Sequence, residues 1–511
     1  MSQGTYPIPP EPTLVHALLR RAADEPEEVF VEFDGRPALR LGELVDLVRG
    51  FAGGLRARGV GAGERVLLAL DNSPEFVVAW LGSWYAGAVV VPLVPGAGSR
   101  LFERAAAVAE PRVAVTDARG AAALASAPGK LEMVEIGDAG SAPLAPELTA
   151  FASPGDAREN LARGEALAAV MFTSGTTGAP KGVCLKHLWY VWASEDVARG
   201  MEYSDVDILF TCLPLGHANA QDTTFGPALL SGARVVFDSR FSASRFWRRL
   251  EDTGATAFNL IGNMPRVLLN RDPDEYAAGH RARRAFAIPA LPHYRDEFAL
   301  RFGVELRQGY GSTEVGMPVF ERPREYRRGS CGVACPGTEV AAFDHERRLG
   351  PDEVGEIRVR SERSGAITEG YLAEPDRTAE AFAAGWFRTG DLGRVDADGN
   401  LFFTGRLGDA LRRRGENVSL YEVESVLLSL DAVAECAAVA RRAAAGEDEV
   451  VAYVVPAEGR QLDIDELRDR CVAVLGRVGE PDEVNLVDSL PRTESGKVAK
   501  GRLGSVAGAG A

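Results

Sequence analysis

The stretch Phe172-Thr-Ser-Gly-Thr-Thr-Gly-Ala-Pro-Lys-Gly-Val183 packs three glycines, four hydroxyl side chains, one proline and one lysine into twelve residues. That mixture suits phosphate. Glycines let a backbone curl and bring its amide N–H groups onto an anion. Ser174, Thr176 and Thr177 add hydroxyl donors, and Lys181 adds a compact positive charge. One such charge contact, at about 4 Å and an effective dielectric of about 20, is worth about 4 kcal/mol before desolvation is subtracted. Pro180 stiffens the chain just ahead of the lysine. A solvated linker has no need of a fixed Pro-Lys-Gly. The spacing is not that of a Walker A loop, because no GxxxxGK[ST] is present.

Three further stretches carry residue types that structure alone does not demand. Gln308-Gly-Tyr-Gly-Ser-Thr-Glu314 sets a flat aromatic between glycines, followed by hydroxyls and a carboxylate. Tyr310 can stack on a base, Thr313 can bond a phosphate, and Glu314 can hold Mg2+, which usually bridges to substrate phosphates. In Gly385-Trp-Phe-Arg-Thr-Gly-Asp391, the carboxylate of Asp391 can accept two ribose hydroxyls. Lys497, in Pro491-Arg-Thr-Glu-Ser-Gly-Lys497, sits on a polar stretch where a lysine ordinarily reads as a solvated surface charge.

The elements that must position these residues alternate between strand and helix. Ala166–Phe172 is an apolar run that reads as a buried strand feeding the glycine-rich loop. Residues 12–59 read as helix, strand pair, helix, and Arg65–Leu70 reads as a buried strand followed by a helix from Pro74. Phe76–Leu93 is uncharged and mostly apolar, but glycines and Pro92 interrupt it, so a helix-to-strand unit is expected there rather than a membrane span. Alternation of this kind predicts an α/β protein with largely parallel sheets. Residues 120–164, rich in Ala, Gly, Pro and acids, read in part as a surface excursion, and antiparallel strands are expected from Val354 onward. Gly405–Asp409 is a short polar connection and the natural place to cut the chain.

Length and charge set the outer limits. A chain of 511 residues is too long for one core. A net charge of −16 excludes a general duplex nucleic-acid binder, which needs a basic footprint. The six cysteines contain no CxxC pair and the six histidines no metal-ligand spacing. No basic segment followed by an apolar core opens the chain, so a cytoplasmic protein with reduced thiols is expected.

Taken in order, Asp71-Asn-Ser-Pro-Glu75, TSGTTGAPKG, Leu213-Pro-Leu-Gly-His-Ala-Asn219, GYGSTE, GWFRTGD, the GRLGD to RRRGENVSLYEVE run and PRTESGK resemble the ANL superfamily of adenylate-forming enzymes across essentially the whole chain. RRRGENVS is most similar to carnitine/crotonobetaine-type and fatty-acid CoA ligases. The resemblance implies a large N-terminal domain with two flavodoxin-like sheets and a distorted β-barrel, residues 1–405. A hinge at 406–409 and a small mobile α+β C-terminal domain, 410–511, follow. It implies two steps. A carboxylate attacks the α-phosphate of Mg·ATP to give acyl-AMP and pyrophosphate, and a nucleophile, usually the CoA thiol, then displaces AMP.

Carried over by motif, Thr173, Ser174, Gly175, Thr176, Thr177, Gly178 and Lys181 surround the phosphates. Gly309, Tyr310 and Gly311 take the adenine, Thr313 the α-phosphate, Glu314 the Mg2+, and Asp391 with Arg406 the ribose. Lys497 enters the site for adenylation, and Gly415 lets pantetheine pass. His217 gates an acyl pocket formed with Asn219, Asn259, Ala287, Ile288 and Gly309. Thr173, His217, Glu314 and Lys497 form the implied catalytic set. Homodimers are common in the superfamily.

Two positions depart from its pattern. Ala287-Ile-Pro-Ala-Leu-Pro292 stands where many relatives carry a GGAP-like turn, which adds side chains where backbone ordinarily faces ligand and reshapes the pocket. Gly408 stands where the hinge usually carries Asp or Lys. An acid–CoA ligase is the leading expectation. The alternative is an ANL enzyme with a non-CoA acceptor, such as nitrite activation for diazotisation of an arylamine, or amide formation. A nucleotide-binding protein without activity is disfavoured by the joint presence of Glu314, Asp391 and Lys497.

Overall fold

A computed structural model describes residues 13–125, 131–137, 139–140, 142–153, 163–173, 180–323, 325–413, 416–442, 448–457, 459–492 and 498–505. Ser174, Gly175, Thr176, Thr177, Gly178, Gly415 and Lys497 lie outside the described residues.

Continuous apolar runs build the first sheet. Its six strands are ordered Glu132–Glu135, Val113–Thr116, Arg65–Ala69, Val89–Pro92, Leu167–Thr173 (β1) and Lys181–Lys186 (β2). All pairs are parallel except β1 with β2. Val89–Pro92 is buried along its length, as a strand covered on both faces must be. The apolar 76–93 segment divides into the buried helix Pro74–Tyr85, capped by Ser73 with Pro74 in its first turn, and that strand. Among the described residues no helix is long and apolar enough to cross a membrane. Part of the expected excursion at 120–164 is instead woven into the core. Glu132–Glu135 is an edge strand, and Phe151, on the helix Pro146–Phe151, stacks on Phe51 at 4.9 Å. The small residues there hid these elements, because Ala and Gly carry little periodic signal.

The second sheet has seven strands. At its centre lies Ile208–Thr211 (β3), with Arg234–Phe237 (β4) on one side and Ala257–Ile261 (β5) on the other, and Arg284–Ile288 (β6) beyond β5. The chain therefore leaves β3 toward β4 and returns to pair β5 on the opposite side. That reversal opens a crevice at the carboxyl ends of β3 and β5, where ligands bind in open parallel sheets.

A sheet that is antiparallel throughout begins earlier than expected, at Gly309–Ser312 (β7) and Gly316–Phe320 (β8); its nine strands also include Trp386–Val395 (β9) and Asn400–Arg406 (β10). Glycine and proline in β7 and β8 mask the alternation that marks a strand. Their function there is close approach: a Cβ on Gly309 would meet the Val319 carbonyl oxygen at 2.6 Å, and one on Gly311 the Gly316 carbonyl oxygen at 2.1 Å. The expected connection at 405–409 is shorter than read, since β10 runs through Arg406 and only Leu407–Asp409 form a turn. Beyond it, Val433–Arg442, Asp448–Pro456 and Glu483–Leu486 form a small sheet. With the helices Leu420–Leu428 and Ile464–Leu475, they enclose a core of Val423, Leu427, Val450, Val454, Leu467 and Cys471.

Candidate active site

Thr173 and Lys181 face each other across the β1–β2 pair, so the glycine-rich stretch is the connection of an antiparallel hairpin. The Thr173 hydroxyl oxygen is buried and has no hydrogen-bond partner among the described residues, an orphan group beside the glycine-rich stretch. Lys181 reaches across to the turn between β7 and β8. Its Nζ lies 2.7 Å from Glu314 Oε1 and donates to the Tyr371 hydroxyl at 2.9 Å, above whose ring it sits 4.4 Å from the centroid. The Tyr371 hydroxyl in turn donates to Glu314 Oε1 at 3.3 Å. Burial would raise the Glu314 carboxyl, but the Lys181 ammonium, together with hydrogen bonds from the Glu314 backbone and Ser312, holds it below the usual range. Burial would likewise lower Lys181, and Glu314 reverses this and raises it. The pair is charged, and a buried carboxylate with a neighbouring orphan hydroxyl is a donor set fit for a hard divalent cation beside phosphate.

The same hairpin carries the second group. Tyr310, on β7, donates its hydroxyl to Asp391 Oδ2 at 2.8 Å. Asp391 on β9 and Arg406 on β10 are cross-strand partners, with Arg406 Nε 3.5 Å from Asp391 Oδ1. Burial, and then the Asp391 carboxylate, push the Tyr310 phenol well above its usual value, so it remains a donor. Thr313 stands next to Glu314 in the turn.

The third group occupies the crevice at the switch point. Asn72 staples the segment after β3 into place: its amide donates to the Leu213 and Asp238 carbonyls, each at 2.9 Å, and its Oδ1 accepts from Leu215 N at 2.8 Å. His217 precedes the short helix Ala218–Ala220, which runs into a π-turn, Gln221–Phe225. Asn259, on β5, donates from Nδ2 to Asn219 Oδ1 and to Thr223 Oγ1, both at 2.9 Å. On β6 the two side chains expected at the pocket take opposite faces of the sheet. Strand alternation turns Ala287 into the apolar layer with Phe258, Leu260 and Phe298, whereas Ile288 packs on the opposite face toward Met317 and Phe320. The stack of Phe286 on Phe320, 5.4 Å between centroids, and a hydrogen bond from Ala290 N to Gln308 Oε1 at 2.8 Å join this sheet to the β7–β8 hairpin. All three groups thus meet around that hairpin. Tyr371 and Thr223 escaped the sequence reading, and Asn72 entered it only as part of the Asp71–Glu75 motif, with no role assigned. Gly370, at φ +123°, just before Tyr371, was the available signal for the first.

The carboxyl-terminal part docks beside the crevice. Asn263 donates to the Ala434 carbonyl at 3.3 Å, and Arg266, buried on the helix Met264–Leu269, donates to those of Leu430 and Val433 at 3.2 and 3.5 Å. Glu435, next to Ala434, pairs with Arg492 at 2.6 Å.

Comparison with known proteins bears on this geometry. The AMP-binding enzyme family matches residues 18–372, and the AMP-binding enzyme C-terminal domain matches residues 422–497. Sulfoacetate–CoA ligase of Cupriavidus necator is 33% identical over 502 residues, covering 96% of this chain and 97% of that protein. A crotonobetaine/carnitine–CoA ligase of Escherichia coli is 29% identical over 479 residues, 87% of this chain and 89% of that one. A crystal structure of a benzoate CoA ligase from Burkholderia xenovorans LB400 superposes with a TM-score of 0.86 at 25% identity, covering 96% of this chain and 99% of the other. The chain belongs to the AMP-binding enzyme family, and is an adenylate-forming, AMP-forming ligase of the ANL superfamily.

Proposed function

We propose that this enzyme is an ATP-dependent acid–CoA ligase acting on a short organic acid. The observation that carries the reading is the Lys181–Glu314–Tyr371 cluster at the root of the glycine-rich hairpin. The likeness to a sulfoacetate–CoA ligase supports a small acid.

In the first step a carboxylate oxygen bonds to the α-phosphorus of ATP as the bond to pyrophosphate breaks. Thr173, Ser174, Gly175, Thr176, Thr177, Gly178 and Lys181 hold the departing phosphates. Tyr310, between Gly309 and Gly311, lies against the adenine, Thr313 meets the α-phosphate, and Asp391 with Arg406 takes the ribose hydroxyls. Glu314 would hold Mg2+, which when bound neutralises charge building on the phosphate oxygens. Lys497 stabilises the charge developing between the acyl carboxylate and the α-phosphate. In the second step the CoA sulfur bonds to the acyl carbon and the bond to AMP breaks, with Gly415 beside the pantetheine arm. His217 stands between the crevice and the reacting carboxylate. A hinge at 406–409, eased by Gly408, exchanges the two arrangements of the 410–511 domain.

Lys497→Ala is expected to abolish pyrophosphate release nearly completely while ATP still binds. Gly415→Leu is expected to block thioester formation and spare adenylation. Unimpaired adenylation by the Lys497 variant, or an unimpaired CoA step in the Gly415 variant, would overturn the respective role.

A further inference from the structure

Asn219, Thr223 and Asn259 form a hydrogen-bonded cluster in which every buried proton is committed. Asn259 is 2% exposed and Thr223 1%. Both hydrogens of the Asn259 amide are spent, on Asn219 Oδ1 and Thr223 Oγ1 at 2.9 Å each, and the Thr223 hydroxyl donates to the Asn219 carbonyl at 2.6 Å. The acceptor end of the half-buried Asn219 side chain is therefore held from below by a donor that cannot turn away. Its Nδ2 makes no hydrogen bond to another described residue, so the cluster leaves a fixed, half-buried NH2 donor on the segment that follows β3, beside β5 at the switch point. The Asn259 Oδ1 atom is buried with no partner. Packing alone would be served better by apolar residues, because a lone buried carbonyl carries a desolvation cost. The π-turn that delivers Thr223 is a geometry found mostly as a local insertion at functional sites.

Resting on the ligase reading above, we propose that Asn219 reads an oxygen acceptor on the acid, distal to the reacting carboxylate. Asn259 and Thr223 are the positioning residues that aim it. The substrate class is then short carboxylic acids bearing a hydroxyl, a second carboxylate or a sulfonate. Matching alkyl acids leave the Asn219 amide dry and unpaired.

The test uses the full-length enzyme and pairs of near-equal size: glycolate with propionate, 3-hydroxypropionate with butyrate, and sulfoacetate with 3,3-dimethylbutyrate. Pyrophosphate release is measured with Mg·ATP and CoA. The oxygen-bearing member of at least one pair is expected to be favoured about tenfold or more in kcat/KM, since a site built to hydrogen-bond rejects the analogue that cannot. Asn219→Leu and Asn259→Asp are expected to bring that ratio toward one, mainly through the KM of the oxygen-bearing acid, with the KM for ATP unmoved. A merely structural role would shift both constants. Turnover with alkyl acids equal or superior in every pair overturns this inference and leaves the ligase reading intact. No pyrophosphate from any acid overturns both. The wild-type comparison decides the matter even if a variant fails to fold.

Discussion

Lys181 and Glu314 stand 133 residues apart in the chain, yet their charged atoms lie 2.7 Å apart, with Tyr371 bonded to both. Each is the other's counter-ion while the phosphates and the cation are elsewhere. On the proposed reading, binding Mg·ATP would exchange this one contact for two, ammonium to phosphate and carboxylate to metal. Lys181→Met is therefore expected to raise the KM for ATP by one to two orders of magnitude, as loss of a charge-assisted contact of about 1.5–3 kcal/mol would. Glu314→Gln is expected to shift the Mg2+ requirement upward. Titrating ATP and Mg2+ separately distinguishes the two.

The pair also predicts a pH signature in stability. The Glu314 carboxyl is held below its ordinary value of 4.5, so its contribution is present above that value and is lost as pH falls through the lower folded one. The Lys181 ammonium is held above its ordinary value of 10.5, so its contribution is present below that value and is lost as pH rises through the folded one. Melting temperatures of wild type and Glu314→Gln should differ most between these limits and converge in acid. A constant difference down to strongly acidic pH would contradict the assignment.

Tyr310→Phe removes the 2.8 Å hydrogen bond to Asp391 and the phenol's interaction with Thr389, and keeps the ring. It should cost about 0.5–1.5 kcal/mol of stability and leave the Asp391 carboxylate less firmly oriented. The expected outcome is a several-fold rise in the KM for ATP with the KM for the acid unchanged, measured by steady-state pyrophosphate release.

Arg266 predicts a split between the half-reactions. Its guanidinium is 4% exposed and satisfies the Leu430 and Val433 carbonyls. Arg266→Ala removes these bonds from the docked arrangement, in which Glu435 holds Arg492, five residues before Lys497 in the sequence. Adenylation should fall at least tenfold, while thioester formation from supplied acyl-adenylate changes less. Equal losses in both steps would contradict a role specific to this docking.

Burial pushes Cys184 and Cys471 up to about 11, and Cys212 and Cys331 up to about 12. Because the thiolate is the nucleophile, native alkylation at pH 8 should run on the order of a hundredfold slower at Cys184 and Cys471, and on the order of a thousandfold slower at Cys212 and Cys331, than in denatured protein. Mass-spectrometric labelling with iodoacetamide measures this directly.

Much of the site was legible because its chemistry is concentrated in short segments. Glycines beside hydroxyls and a lysine, or a tyrosine between glycines followed by Glu314, announce themselves without any neighbour. The apolar run into Thr173 likewise reads as a strand from its own residues. What stayed hidden depends on pairing across the chain. Tyr371 looks like an ordinary core aromatic until β2 brings Lys181 over its ring. Asn72 looks like a turn residue until its amide is seen spanning to Leu213 and Asp238. Ala287 reads as a pocket residue from its motif, and only the packing of β6 beside β5 shows that it lies in the apolar layer with Phe258 and Leu260.

The most direct measurement is mass spectrometry of the products formed from Mg·ATP with short oxygen-bearing acids, alkyl acids, aromatic acids and nitrite, each with and without CoA. The predicted result is AMP and an acyl-CoA thioester formed only when an acid and CoA are both present, with pyrophosphate and acyl-adenylate formed in equal amounts when CoA is withheld. Turnover with nitrite, or an acid consumed to a non-thioester product without any need for CoA, would contradict it.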